Sequence, residues 1–187
     1  REQYALDLHV GFIQEAQFAD NHFDLITIWH VLEHTENPLD VLRRLRNWLK
    51  QEGILVVEVP NVEATCQAPS STFHDAHLFN FNAATLSKMA EKAGLVSKHH
   101  QFSADGGNLT IFLGKAESTA EPHDCSIPGN AARIRHIVSH HTPWQHYRTF
   151  NPYRRLALRL WRSVKEKLAI QGIQDNRQLL DQLYRNL

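Results

Sequence analysis

Apolar and polar positions along this chain switch between two periods. Phe23-Asp24-Leu25-Ile26-Thr27-Ile28-Trp29 is a short apolar, β-branched run entered through the polar turn Asp20-Asn21-His22, and it predicts a buried strand. The period then changes. Asn37-Pro38 offers a cap and a first-turn proline, after which Leu39, Leu42, Leu45 and Leu49 recur at helical spacing with Arg43, Arg44, Arg46 and Lys50 between them. Lys50 and Gly53 are expected to close that helix. Ile54-Leu55-Val56-Val57-Glu58-Val59 follows as a second strand, ended by Pro60-Asn61. Strand, helix and strand in that order predict a parallel crossover.

Residues 62–71 show no period, and the His- and Phe-rich residues 73–81 predict a loop lying over another part of the fold. Asn82 opens a helix whose stripe of Leu86, Met89, Ala90 and Ala93 stops at Gly94. Residues 97–103 and 109–113 then flank Ala104-Asp105-Gly106-Gly107-Asn108, the pattern of two strands and a hairpin turn. The expected organisation is a body over residues 1–115, a linker over 116–130 containing Pro122, Pro128 and Gly129, and a helical tail over 131–187. In that tail Tyr153, Leu156, Leu160, Val164 and Leu168 fall on one stripe, with Arg155, Arg159 and Arg162 opposite. No internal repeat is present.

Charge sharpens this division. The 187 residues carry 20 Lys+Arg and 20 Asp+Glu. Residues 1–132 nevertheless hold nine basic and seventeen acidic residues, whereas 133–167 hold nine basic and one acidic. An acidic body followed by a basic appendage suits phosphate, lipid headgroups or an acidic partner, the body itself included. The strongest apolar run, residues 54–59, is broken by Glu58 and falls far short of the roughly 18 apolar residues of a spanning helix. The chain opens Arg1-Glu2-Gln3, with neither an initiator methionine nor a basic-then-apolar leader. Cys66 and Cys125 stand apart from each other, so neither a disulfide framework nor a cysteine zinc site is indicated. The expectation is a cytoplasmic protein, peripheral to a membrane if the basic helix lies on lipid, whose own start is upstream of Arg1.

The stretch FDLITIWHVLEHTENPLDVLRRLRNWLKQEGILVVEVPN, residues 23–61, resembles the later half of class I S-adenosylmethionine-dependent methyltransferases, in the group with a vLEH motif after an FD-strand. HLFNFNAATLSKMAEKAGL (residues 77–95) and GFIQEAQFADNHFD (residues 11–24) extend the resemblance to about residues 10–113. It implies an α/β fold: a partial Rossmann-like sheet of parallel strands with a C-terminal antiparallel hairpin, and S-adenosylmethionine lying across the carboxyl ends of the strands. The family's glycine-rich loop and the acidic end of its second strand have no counterpart here. Gly106-Gly107 falls in the hairpin instead. The chain is therefore read as the C-terminal portion of such an enzyme, binding cofactor weakly or not at all on its own.

The resemblance also implies roles by position. Phe12, Ile13 and Gln14 would lie beside the adenine ring, Trp29 and His30 under the methionine and ribose, and His34 nearby. His77, with His74 beside it, would face the acceptor, where an imidazole suits removal of a hydroxyl proton. The acceptor would be a small molecule, a glycan or a lipid-linked intermediate. A basic tail without a recognition module does not predict a nucleic-acid partner.

Two other readings attach to the same residues. His30-Val31-Leu32-Glu33-His34 matches the H-x-x-E-H pattern of inverted zinc peptidases, which requires both histidines on one helix face and a third ligand. Some related quinone-pathway O-methyltransferases carry an acidic residue, glutamate and histidine at these three positions and use them for a divalent metal. With His30 in place of the carboxylate, no metal is assigned. The non-enzymatic rival is a methyltransferase-like partner subunit that binds through its basic helix.

Overall fold

Alternation decides which residues of the central strands meet the core. Leu55, Val57 and Val59, two apart, are fully buried, as are Leu109, Ile111 and Leu113 on the strand beside them. In the computed structural model, which describes residues 10–73, 75–117, 126–169 and 176–185, these residues line one face of a sheet built from β1 (Phe23–Trp29), β2 (Leu49–Pro60), β3 (Leu95–Phe102) and β4 (Asn108–Lys115). The order among the described residues is β1-β2-β4-β3. β1 and β2 run parallel, with Ile26 opposite Leu55 and Ile28 opposite Val57. β4 is antiparallel to both β2 and β3. The mixed α/β sheet with a closing hairpin is thus the expected one.

The parallel pair is joined through α1 (Pro38–Trp48), whose N-cap Asn37 accepts a hydrogen bond from the Asp40 backbone N–H. α1 buries Val41, Leu42, Leu45 and Trp48 against β2. A short helix, α2 (Pro69–Thr72), interrupts the loop that follows β2. α3 (Ala83–Lys92) starts with a capping box between Asn82 and Thr85, buries Leu86 and Ala90, and packs beside α1 and against β3 and β4. Gly94, with φ of +76°, lets the chain turn from α3 into β3. Fully burying one such leucine is worth about 1.5–3 kcal/mol, so the helix-covered face carries most of the stability.

The start of β2 departs from the sequence reading. Helix was expected to continue to Lys50, yet it ends at Trp48, and Leu49 is already extended with φ −71° and ψ 139°. Leu49 is fully buried and pairs with Phe23. Both fates place Leu49 in the core, so periodicity alone could not separate them. A Cβ on Gly53 would sit 2.8 Å from Leu49 Cδ1 and 3.0 Å from the Phe23 carbonyl oxygen. Glycine therefore permits the close approach that this early strand requires.

Beyond the sheet lie α4 (Asn130–His140), α5 (Pro143–Arg148), α6 (Asn151–Ala169) and α7 (Asn176–Arg185). α6 covers the predicted amphipathic stretch, begins two residues before Tyr153, and buries none of its residues. Polar contacts tie the tail to the body: Arg133 donates to Glu63 at 2.6 Å, and Arg155 lies 3.6 Å from Asp105. Cys125 and most of the predicted linker fall outside the described residues. Among the described residues no helix is long and apolar enough to cross a membrane.

Candidate functional site

β1 delivers its last residues to the end of the sheet where β2 also finishes. His30 follows directly and adopts φ of +53°, which bends the chain away while its N–H still donates to the Glu58 carbonyl at 2.9 Å. A non-glycine residue in this region carries backbone strain, which tends to be retained at functional positions. A single turn over residues 32–34 then buries Leu32 completely, and Glu33 beside it is 1% exposed. The Thr35 hydroxyl donates to the Leu32 carbonyl and ends the turn.

The His- and Phe-rich loop closes over this turn. The backbone N–H groups of Leu78 and Phe79 both donate to the Glu33 carbonyl, at 2.9 and 3.2 Å. The His34 ring contacts the Ala76 carbonyl through Nδ1 at 2.7 Å. His77 is thereby set edge-on to His34, with ring centroids 4.9 Å apart. One ligand atom each from Glu33, His34 and His77 lie within 4.8 Å of one another. His74 lies outside the described residues.

His30 bridges two carboxylates, with Nδ1 3.3 Å from Glu33 Oε1 and Nε2 3.3 Å from Glu58 Oε1. Glu58 is held in turn by the Thr110 hydroxyl at 2.7 Å and the Asn108 amide at 3.2 Å. A polar row thus runs from β4 across β2 to the turn after β1. At its far side the hairpin turn is fixed by Asp105. Burial opposes ionisation of Asp105, but the Gly107 N–H, the Ser103 hydroxyl and the Arg155 charge outweigh it and hold the carboxyl below the usual carboxylate range. The nearby Cys66 thiol is pushed up, chiefly by burial and also by the Asp105 charge.

Two cavities adjoin here. One, of about 380 Å³, is lined by His30, Glu33, His34, His77, Asn61 and Asn108 among others. The other, of about 760 Å³, is lined by Phe12, Ile13, Gln14, His30, Val31 and His34 among others. His30 and His34 form walls of both. Phe12 is 73% exposed at the mouth, while Ile13 packs partly against the core. The segment is anchored where the Arg44 guanidinium donates to the carbonyl of buried Ala16. Of the residues that the sequence singles out, Phe12, Ile13, Gln14, His30 and His34 share one cavity, and His77 lines the other. Trp29 is 52% exposed and lines neither.

The inverted-peptidase geometry does not form. His30 stands off the end of a strand and His34 ends a single turn, so the two do not share a helix face, and His30 faces carboxylates with both ring nitrogens. Sequence reasoning also missed Glu58. Its one signal was a charge inside an otherwise apolar strand, which is costly unless the charge is partnered.

A family model described as a methyltransferase domain matches residues 4–100. A chain in the complex between the Haloferax volcanii Trm112 methyltransferase activator and a methyltransferase is 13% identical, with a TM-score of 0.51 over 62% of this chain and 66% of that one. The [4+2]-cyclase SpnF is 14% identical, with a TM-score of 0.51 over 62% of this chain and 58% of that one. This chain thus spans somewhat less than two thirds of the length of either neighbour. No curated protein matches the sequence. At such identities the likeness is one of fold, and a fold hosts more than one chemistry.

Proposed function

Because the chain belongs to the methyltransferase-domain family matched over residues 4–100, we propose that the protein transfers a methyl group from S-adenosylmethionine to a small-molecule acceptor. The observation that carries this reading is the pair of adjoining cavities that share His30 and His34 as walls. They open at the carboxyl ends of the parallel strands, where open α/β sheets bind ligands. S-adenosylmethionine, when bound, supplies a methyl group on a positively charged sulfur.

The cavity beside Phe12, Ile13 and Gln14 suits the cofactor: an aromatic face, an apolar wall and an amide. The cavity beside His77 suits the acceptor, with Asn61 and Asn108 as hydrogen-bonding groups. Positioning the acceptor atom in line with the methyl group is the larger part of this catalysis. For a hydroxyl acceptor a proton must also leave, and the group formed by Glu33, His34 and His77 is assigned that task, His77 being the member the sequence singles out. A glycan or lipid-linked acceptor is the finer form of the proposal, supported by the basic helix α6, which leaves Leu156, Leu160, Trp161 and Val164 more than half exposed.

Calorimetric titration of S-adenosylhomocysteine tests this reading, using the chain as it stands and the full polypeptide that its gene encodes. Binding by the full polypeptide, weakened about tenfold in Phe12→Ala and unchanged in Trp29→Ala, is the expected result, a loss of about 1.4 kcal/mol. Absence of binding by both would favour the partner-subunit reading.

A further inference from the structure

The geometry points to a divalent metal site formed by Glu33, His34 and His77, with the third ligand drawn from the loop after α2 and not from the end of β1. Hydrogen bonding settles what each atom offers. A carbonyl only accepts, so the His34 Nδ1 that lies 2.7 Å from the Ala76 carbonyl carries the hydrogen. In the neutral ring Nε2 then presents a lone pair, and it faces Glu33 Oε1 at 3.9 Å. Two acceptors facing each other call for a positive species between them, a proton or a metal ion.

Glu33 adds to that demand. Its side chain is 1% exposed, and Oε2 is buried without a hydrogen-bond partner. Leaving a buried carboxylate oxygen unsatisfied costs more than leaving a neutral polar group so. His77 brings a third ligand atom into the same 4.8 Å sphere. Two metal–ligand bonds of about 2.0–2.2 Å together span most of that distance, so the set closes on an ion with small side-chain adjustments. The His34 N–H to a backbone carbonyl is also the outer contact that fixes the tautomer of a metal-ligating histidine.

Three protein ligands facing a cavity leave positions for water or substrate, the open kind of site. Two imidazoles with one carboxylate favour Zn²⁺, Co²⁺ or Fe²⁺ over Mg²⁺ or Ca²⁺, which prefer an all-oxygen shell. His30 is excluded because each of its nitrogens already meets a carboxylate. The substrate consequence rests on the methyl-transfer reading: the acceptor would be a molecule that offers an oxygen donor to the ion, and His77 would then be a ligand and not the base.

The test uses the chain stripped with chelator, then Co²⁺ for its visible absorption and Zn²⁺ in equilibrium dialysis. His136→Ala, His140→Ala and His141→Ala together form the background, which removes the histidine cluster at the end of α4 and leaves buried His146 in place. One equivalent should bind, with the intense absorption of a four- or five-coordinate Co²⁺ site. His34→Ala and His77→Ala, at positions that are not buried, should each weaken binding at least tenfold without changing the far-UV spectrum. Glu33→Gln should do the same with shape retained, and His30→Ala should retain binding. No binding, or binding indifferent to His34 and His77, overturns the site. Metal binding without any response to S-adenosylhomocysteine in the full polypeptide would leave the site standing and remove the methyl-transfer reading.

Discussion

The sheet with α1 and α3 and the tail of α4 to α7 use the same raw material, apolar stripes at regular spacing, and come to opposite ends. In the body the stripes of α1, α3, β2 and β4 are covered: Leu42, Leu45, Leu55, Leu86 and Leu113 are 0–2% exposed, whereas Leu25 and Trp29 of β1, at the edge of the described sheet, are more than half exposed. On α6 the stripe of Tyr153, Leu156, Leu160, Val164 and Leu168 is 56–64% exposed. Amphipathic spacing specifies a face and leaves open what covers it. The body finds its cover within the chain through nonlocal strand pairing, whereas the tail reaches the body through charged groups such as Arg133 and Arg155 and through Ile137 and Val138 beside Val62 and Phe73, leaving the α6 stripe uncovered.

The contrast should be plainest in stability. Leu55→Ala removes a buried side chain from the sheet's core face and should cost about 2–5 kcal/mol, while Leu160→Ala on α6 should stay within about 0.5 kcal/mol. Urea titration of both variants measures the difference, and equal losses would mean that α6 packs in solution. The next largest effect concerns what covers α6. Vesicles containing anionic lipid should sediment the chain at least tenfold better than neutral vesicles, with most of the gain lost at 1 M salt or in Leu160→Ser with Trp161→Ser. Indifference to lipid charge would leave the stripe for another partner.

Smaller again is the grip of tail on body. Arg133→Ala removes the 2.6 Å pair with Glu63, which is largely exposed on the arginine side, and should cost at most about 1 kcal/mol. Its sensitive readout is faster proteolytic release of residues beyond Asn130. The smallest effect is a pH dependence local to α4 and α5. Burial, and then the charge of His146, lower the His141 pKa below its ordinary 6.5. His136 and His140 of α4, and His146 and Gln145 of α5, line the same cavity as His141. The unfolded histidine binds its proton first, so stability is lost as pH falls through about 6.5 toward the lowered folded value. Protection factors for amide exchange across α4 and α5, taken relative to the intrinsic rate at each pH, should therefore be lower at pH 5.5 than at 7.5, and less so in His141→Gln.

Much of the body was legible because its signals are local. Asn37-Pro38 marks the start of α1, Asn82 caps α3, and the residues around Gly106 make the hairpin. Leu49 was not legible, since helix and strand both bury it. The site was legible only in part. Its chain positions followed from strand ends, but the place of His77 depends on two backbone hydrogen bonds to the Glu33 carbonyl, which no spacing encodes. The His30 link to Glu58 joins residues that become neighbours only when β1 pairs with β2.

Cys66 turns the docking of the tail into something a clock can read. It is 4% exposed, shares a cavity with Pro152, Arg155 and Leu156, and its sulfur lies 3.6 Å from the Arg155 guanidinium. In a Cys125→Ser background its alkylation would have to wait for the tail to lift. Labelling half-times would then count openings that no equilibrium spectrum resolves, and Arg155→Ala would set the clock running faster.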